Sequence, residues 1–353
     1  MKRFLLLILC LAQLFSFACA VPDTPYAPET LLLYHAQPAS VQRVIDVLYA
    51  GAINGETEIA MPPATRYEDA AQAWTVMQDE FPELFHVYNH VQITYFMNAP
   101  EYAIAVLLEY AMTPDEYAAA RSRMMAEAQL IAASASGTAY ERELYLHDAL
   151  AARTVYSQDA AASDVGNAYG ALVNGSAVCE GYAHAMTLLC RLAGIPCSMV
   201  TGMAVSGNRT DLHAWNVVDM DGELLQTDCT FNDQDHTSMC VHWYFNRPAQ
   251  DMASTHMIDA QLPLSNSSAW TYPRMSGGCI ESADEMQAVF DAQYARMLET
   301  GMPMELQAAD DALYAQLVGS INQLMTDSAY DISLLTYSTN EHLRCITLSE
   351  ASE

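Results

Sequence analysis

Residues 213–231, HAWNVVDMDGELLQTDCTF, constrain the fold more than any other part of this sequence. At their centre, Asp221 and Gly222 form the strongest sequence signal for a two-residue hairpin turn, because such turns require residues that tolerate positive φ. With these residues as the turn, Met220 pairs with Glu223 and the flanking segments run antiparallel. The pattern therefore predicts a β-hairpin whose register is fixed by its turn.

This register brings a histidine and a carboxylate together. Asp228 falls opposite Trp215, and His213 lies two residues before Trp215 on the same face of the strand. His213 and Asp228 are therefore diagonal neighbours within side-chain reach. A carboxylate beside an imidazole fixes its tautomer and stabilises its protonated form. In a catalytic triad, such a pair supplies the general base and the carboxylate that orients it. A purely structural pair is the alternative, and Trp215 either shields the pair, lines a cleft or belongs to the core.

A cysteine lies at the start of a predicted helix about 35 residues earlier in the chain. In NGSAVCEGYAHAMTLLCRLAGIP, residues 174–196, apolar side chains recur at helical spacing from Tyr182, and Gly194 and Pro196 end the helix. Cys179 then falls at or near the helix N-terminus, where unpaired backbone N–H groups and the helix dipole favour an anion. The position suits a nucleophilic thiolate. A small buried thiol under the first turn is the alternative.

Three blocks, in this order and spacing, resemble the transglutaminase-like superfamily, in particular exported bacterial members. The blocks are VCEGYA at 178–183, HAWNVV at 213–218 and DGELLQTDCTF at 221–231, and the resemblance covers about residues 140–250. It implies an α+β fold with a papain/transglutaminase-like core, in which the catalytic helix packs on an antiparallel sheet. Helical N-terminal and α/β C-terminal segments would flank that core.

The resemblance also implies roles for individual residues. Cys179 would be the nucleophile, His213 the general base and acid, and Asp228 the residue that orients His213. The backbone N–H of Cys179 would form one half of an oxyanion hole. The second donor is unassigned, with Asn174 and Trp215 as substrate or oxyanion candidates. The family's usual proline after the aspartate is replaced by Cys229.

These roles predict a cysteine enzyme that acts on amide bonds of peptides or proteins through a thioester, with no cofactor and no metal. Hydrolysis is favoured over transfer to amines, because water needs no second binding pocket. Lys2 is the only lysine in the chain, which agrees with crosslinking without self-modification but equally with codon bias. The alternative function is a non-catalytic cell-surface binding or adhesion module that retains the fold.

The N-terminus and the composition restrict location and partners. Lys2-Arg3, an apolar run and Ala18-Cys19-Ala20 predict that residues 1–20 are a signal peptide, so the protein is expected to be secreted or on the cell surface. Lipid attachment at Cys19 is less favoured. The net charge of −29 argues against a nucleic-acid partner, and no later stretch has the length of a membrane span. The predicted divisions are residues 21–135 (N-terminal accessory α/β region), 136–255 (catalytic core) and 256–353 (C-terminal α/β accessory region).

Periodicity and capping residues predict further elements outside this core. The expected helices cover about residues 41–50, 67–80, 114–133, 139–155, 282–300 and 310–326. The expected strands cover residues 86–96, 101–112 and 198–205, together with a C-terminal hairpin of 331–338 and 341–347 around Thr339-Asn340.

The six other cysteines and three further histidines have no predicted catalytic role. Removal of residues 1–20 leaves seven cysteines, an odd number, so either six pair and Cys179 stays free or few pair at all. Cys229 could pair with Cys240 or Cys197. No C-x-x-C motif occurs, which argues against a zinc site. His184 is expected to be structural or exposed, and the pair His147-Asp148 and His236 are expected at the surface or in local hydrogen bonds.

Overall fold

The computed structural model describes residues 24–157, 164–234, 239–327 and 335–350. The predicted signal peptide, His236 and the first residues of the predicted C-terminal hairpin lie outside these ranges. In the described parts of the chain, no helix is both long enough and apolar enough to cross a bilayer.

The N-terminal region combines helices with a small antiparallel sheet of strand order β1-β3-β2. A capping box of Thr113 and Glu116 begins its longest helix, as the sequence predicted. The elements are α1 (Leu32–His35), α2 (Ala39–Ile53), β1 (Glu58–Ala60), α3 (Tyr67–Glu80), β2 (Gln92–Phe96), β3 (Ala99–Leu107) and α4 (Pro114–Ser134).

The central region places helices against a four-stranded antiparallel sheet of order β11-β6-β7-β8. A five-residue π-helix, Gly170–Asn174, precedes its main helix. The elements are α5 (Ala139–Arg153), β4 (Val155–Tyr156), β5 (Ser176–Ala177), α6 (Cys179–Leu192), β6 (Cys197–Ser206), β7 (Arg209–Met220), β8 (Glu223–Thr227), α7 (Cys229–Asn232), β9 (Asp233–Gln234), β10 (Met239–Cys240), α8 (Ala249–Met252) and β11 (His256–Ile258).

The C-terminal region forms a second four-stranded sheet, of order β12-β13-β15-β14, with two long helices packed against it. Strand β12 is parallel to β13, and the other pairs are antiparallel. The elements are α9 (Tyr272–Ser276), β12 (Cys279–Ile280), α10 (Met286–Thr300), β13 (Met304–Ala308), α11 (Asp311–Asp327), β14 (Leu335–Asn340) and β15 (Cys345–Glu350).

The N-terminal and central regions share one hydrophobic core, whereas most of the C-terminal region has its own. A buried ion pair reinforces the shared core, because Arg191 at the end of α6 lies 3.0 Å from the Glu80 carboxylate at the end of α3. Glu80 also accepts a hydrogen bond from Ser198 on β6 (2.7 Å). Breaking such a buried pair from one side costs about 3–5 kcal/mol. The position of α6 therefore depends on the N-terminal helices as well as on the sheet.

This architecture confirms the predicted α+β class and most of the predicted elements. The C-terminal hairpin turn, however, lies at residues 341–344, and Thr339 and Asn340 belong to β14. Asn340 does take part in the turn, because its Oδ1 accepts from the backbone N–H of Leu343 (3.1 Å). The predicted strand over 86–96 shortens to β2. None of the seven described cysteines is paired, which agrees with the expectation that few pair and not with the alternative of six paired cysteines or of a Cys229 disulfide.

Candidate active site

Cys179 is the first residue of α6 and is half-buried. The preceding residue, Val178, is in an extended conformation and has no polar side chain to cap the helix, so the first turn directs its backbone N–H groups to the region around the thiol. A neighbouring loop fixes this turn, because the N–H of Val178 donates to the carbonyl of Val165 (2.8 Å). Gly181 is required here, since a Cβ at this position would clash with the same Val165 carbonyl.

The sheet positions His213 relative to this helix. Asn216, three residues after His213 on β7, donates from Nδ2 to the carbonyl of Ala183 and to the hydroxyl of Thr187, both on α6 and both at 2.9 Å. These buried bonds attach the helix to the strand. Cys179 itself contacts a small apolar cluster of Ala183, Met199 and Ala214.

Asp228 completes the arrangement at the end of β8. The β7–β8 register pairs Met220 with Glu223, as the Asp221-Gly222 turn predicted. His213 Nε2 lies 2.7 Å from Asp228 Oδ2, within the predicted hydrogen-bonding distance. The other carboxylate oxygen, Oδ1, caps α7 by accepting from the N–H of Phe231 (3.1 Å). Both oxygens of the Asp228 carboxylate therefore have hydrogen-bond partners, which fix its position.

The ring nitrogens of His213 have separate partners. Nε2 is committed to Asp228, so Nδ1 is the ring nitrogen available to the Cys179 thiol, whose proximity contributes to the raised pKa of His213. Burial lowers the pKa of His213, but Asp228 and the Cys179 contact outweigh burial and raise this pKa to about 10. Burial raises the pKa of Asp228, and its two histidine partners reverse that effect and hold it well below the usual range. The site therefore favours an imidazolium beside an ionised carboxylate.

A second histidine also contacts Asp228. His256, on edge strand β11, is buried, and its Nε2 lies 3.0 Å from Asp228 Oδ2 while its Nδ1 lies 2.9 Å from Thr255 Oγ1. Sequence reasoning missed His256, because no motif surrounds it and its position depends on the pairing of β11 with β6. His213, Asp228 and His256 also form a cluster whose donor atoms could hold a metal ion.

Trp215 and Asn174, the two predicted substrate or oxyanion residues, each have a hydrogen-bond partner other than the Cys179 thiol. Trp215 is buried and its indole N–H donates to Gln226 (3.0 Å), so in this structure it is not an oxyanion donor. Its ring stacks near His213, with 6.0 Å between centroids and 21° between planes, which suits the role of shielding the pair. Asn174 ends the π-helix, and its Nδ2 lies 3.4 Å from Asp164 Oδ2. The structure thus pairs Asn174 with an aspartate, and its oxyanion role stays a prediction.

Two other histidine predictions have different outcomes. His184 packs against the interior on the flank of α6, and burial lowers its pKa to about 4, in line with the expected structural role. His147 was expected at the surface or in a local hydrogen bond. It does bond to Asp148 (2.9 Å), but its side chain is fully buried, because α5 packs against α7.

Comparison with known proteins finds a similarity in the central segment. Residues 127–229 match the model of the transglutaminase-like superfamily, a segment that includes Cys179, His213 and Asp228. A search among curated proteins finds no match.

Two solved structures are similar to parts of the chain. One is described as a candidate cysteine protease from Cytophaga hutchinsonii, with 16% identity and a TM-score of 0.27, covering 40% of this chain and 61% of that one. The other is described as a TGase, with 15% identity and a TM-score of 0.27, covering 40% of this chain and 44% of that one. The chain thus spans less than two thirds of either structure.

Proposed function

Because residues 127–229 match the transglutaminase-like superfamily, we propose that this protein is a cysteine enzyme that cleaves or transfers amide groups of peptides or proteins. The observation that carries the proposal is the hydrogen-bonded pair of His213 and the buried carboxylate of Asp228, which lies near the thiol at the start of α6. Nucleophile, base and orienter are the three parts that covalent amide chemistry requires.

In the proposed reaction, Cys179 Sγ attacks the carbonyl carbon of the amide and the C=O electrons move to oxygen. The backbone N–H of Cys179 stabilises this oxyanion at the helix N-terminus. The imidazolium of His213 donates its Nδ1 proton to the leaving amine as the C–N bond breaks, and a thioester remains. Asp228 holds the ring in position and stabilises its positive charge throughout.

In the second half of the reaction, the molecule that accepts the acyl group from the thioester determines the product. His213, now neutral, removes a proton from water or from an amine, which attacks the thioester and releases the thiolate. Hydrolysis is the favoured outcome, since solvent reaches the half-buried thiol and a second binding pocket is unnecessary. Mass spectrometry of a Gln-containing peptide, incubated with the protein and an excess of a labelled amine, tests this choice. Predominance of the amine adduct over the acid or the cleaved peptide would overturn the hydrolase assignment.

The alternative is a non-catalytic cell-surface binding module. Stoichiometric labelling of Cys179 by iodoacetamide near neutral pH separates the two, because only an activated thiolate reacts fast under these conditions. The matched control is Cys279→Ser, which removes another half-buried thiol, from β12. Labelling of Cys179 no faster than that of Cys279 would favour the binding module.

We also propose that the protein is exported to the cell surface or beyond it after removal of residues 1–20. The basic n-region, short apolar segment and A-x-A site support this proposal. N-terminal sequencing of the protein recovered outside the producing cell tests it, with residue 21 as the expected first residue. Recovery with Met1 intact would contradict it.

A further inference from the structure

A second cluster of reactive side chains lies beside α7, where Asn232 contacts His147. It contains His147 and Asp148 on α5, Cys240 on β10, and His242 two residues later. One donor atom from each of these four residues lies within 4.8 Å of the others. We propose that Asp148, Cys240 and His242 bind a divalent transition-metal ion of the zinc class, with His147 and Glu305 as the residues that orient the ligands.

Both ring nitrogens of His242 face carboxylates, and one of them can bind a metal ion in place of its proton. Nδ1 lies 2.7 Å from Glu305 Oε1, and Nε2 lies 2.8 Å from Asp148 Oδ1. Both partners are carboxylate oxygens, so both ring nitrogens donate. A metal ion would replace the proton on Nε2 and leave the Nδ1–H donated to Glu305. This carboxylate–histidine–metal arrangement is the usual outer support of a zinc ligand.

His147 has a different role, which its own partners determine. The side-chain oxygen of Asn232 accepts from the backbone N–H of Tyr244 (2.8 Å), so its amide nitrogen faces His147 Nε2 at 3.0 Å. His147 Nε2 is therefore the acceptor, and Nδ1–H donates to Asp148 Oδ1 (2.9 Å). This tautomer has no lone pair on Nδ1 for a metal, so His147 orients the Asp148 carboxylate.

The donor set and the spacing favour zinc. A thiolate, an imidazole and a carboxylate are the ligand types of zinc sites, whereas calcium and magnesium prefer oxygen alone. Tetrahedral zinc bonds of about 2.0–2.3 Å separate neighbouring ligand atoms by roughly 3.3–3.6 Å. Asp148 Oδ1 and His242 Nε2, at 2.8 Å, would move apart by about 0.5 Å as the metal replaces the shared proton. Three protein ligands leave a fourth position for water.

Burial and charge also suit a cation. His147, His242 and Glu305 are buried, whereas Cys240 and Asp148 are partly exposed and provide a route for the ion. Glu305 Oε2 is buried and, within the described residues, has no hydrogen-bond partner. When the dication binds, the thiol proton of Cys240 and the Nε2 proton of His242 leave to solvent. The net charge of the cluster is thus unchanged, and the ion sits beside two carboxylates.

The test is a titration of the metal-stripped full-length chain with Co²⁺, followed by displacement with Zn²⁺. We expect one equivalent to produce a thiolate-to-cobalt charge-transfer band and the visible bands of a four-coordinate site, both lost on addition of Zn²⁺. Absence of a thiolate band in the unmutated protein would overturn the proposal, whatever the behaviour of the variants.

Variants then locate the bound ion. Cys240→Ser should abolish the thiolate band, whereas Cys279→Ser, the matched control, and Cys179→Ala should retain it. Loss of the band in Cys179→Ala with retention in Cys240→Ser would place the ion in the candidate active site and refute the proposal. Glu305→Gln should weaken Zn²⁺ binding about 10–100-fold, the usual effect of removing an outer carboxylate. An unchanged affinity in Glu305→Gln would contradict the assigned orientation of His242.

Discussion

Replacement of Asp228 by Asn tests the electrostatics of the candidate active site. In the native site the pKa of His213 is raised from 6.5 to about 10, against burial and chiefly by Asp228. That difference corresponds to a preference for the imidazolium of about 5 kcal/mol, at about 1.4 kcal/mol per pKa unit. Asn removes the charge but keeps the cap of α7, because its side-chain oxygen can still accept from the N–H of Phe231. With burial unopposed, the pKa of His213 should fall to 6.5 or below.

The assay is the rate of Cys179 alkylation by iodoacetamide between pH 5 and 9. At pH 7, above the expected pKa of His213 in the variant and below its native value of about 10, His213 is mostly neutral only in Asp228→Asn. Alkylation of this variant at pH 7 should therefore be about 10–100-fold slower than that of the native protein, a change of about 1.4–2.7 kcal/mol. Asp211→Asn, an exposed change on the same strand, is the matched control and should behave as the native protein. Overlapping pH profiles for the two variants would refute the assignment of Asp228 as the source of the imidazolium.

Three further changes test other parts of the account. His256→Leu removes one donor to the buried carboxylate of Asp228 and should lower the free energy of unfolding, measured in urea, by about 1.5–3 kcal/mol. His256→Gln can donate again and should recover part of this loss. Equal losses in the two variants would contradict the contact between His256 and Asp228. Gly181→Ala should slow Cys179 alkylation, because the new Cβ meets the Val165 carbonyl and displaces the first turn of α6; a native rate would refute this. Burial raises the pKa of Glu143 to about 8, so the folded protein retains this proton up to a higher pH than the unfolded chain, and stability falls as pH rises from about 4.5 to about 8. Glu143→Gln should therefore raise the thermal midpoint more at pH 8 than at pH 5, and an equal gain at both would contradict the shift.

Local signals in the sequence predicted the parts of the site that depend on neighbouring residues. The Asp221-Gly222 turn fixed the β7–β8 register and with it the approach of His213 to Asp228. Helical periodicity and the Gly194 stop placed Cys179 at the start of α6. In both cases one turn or one helix end determines the position, so a few residues carry the information.

Contacts between distant segments could not be predicted in this way. His256 reaches Asp228 only because β11 pairs with β6, and three residues of strand give no readable pattern. Asp148 and Cys240, two of the proposed metal ligands, are 92 positions apart, so a local motif such as C-x-x-C carries no information about this cluster. The choice between six paired cysteines and few could not be made for the same reason, since pairing depends on tertiary distances that a count of thiols does not contain.

The most direct test of the central claim is to trap the acyl-enzyme. The protein is mixed with a library of Gln-containing peptides and quenched in acid, and its proteolytic fragments are analysed by mass spectrometry. We expect an acyl adduct on the Cys179 fragment that is retained in Cys279→Ser, and neither adduct nor turnover in Cys179→Ala. Peptide turnover that persists in Cys179→Ala, or an adduct on a different thiol, would contradict this expectation.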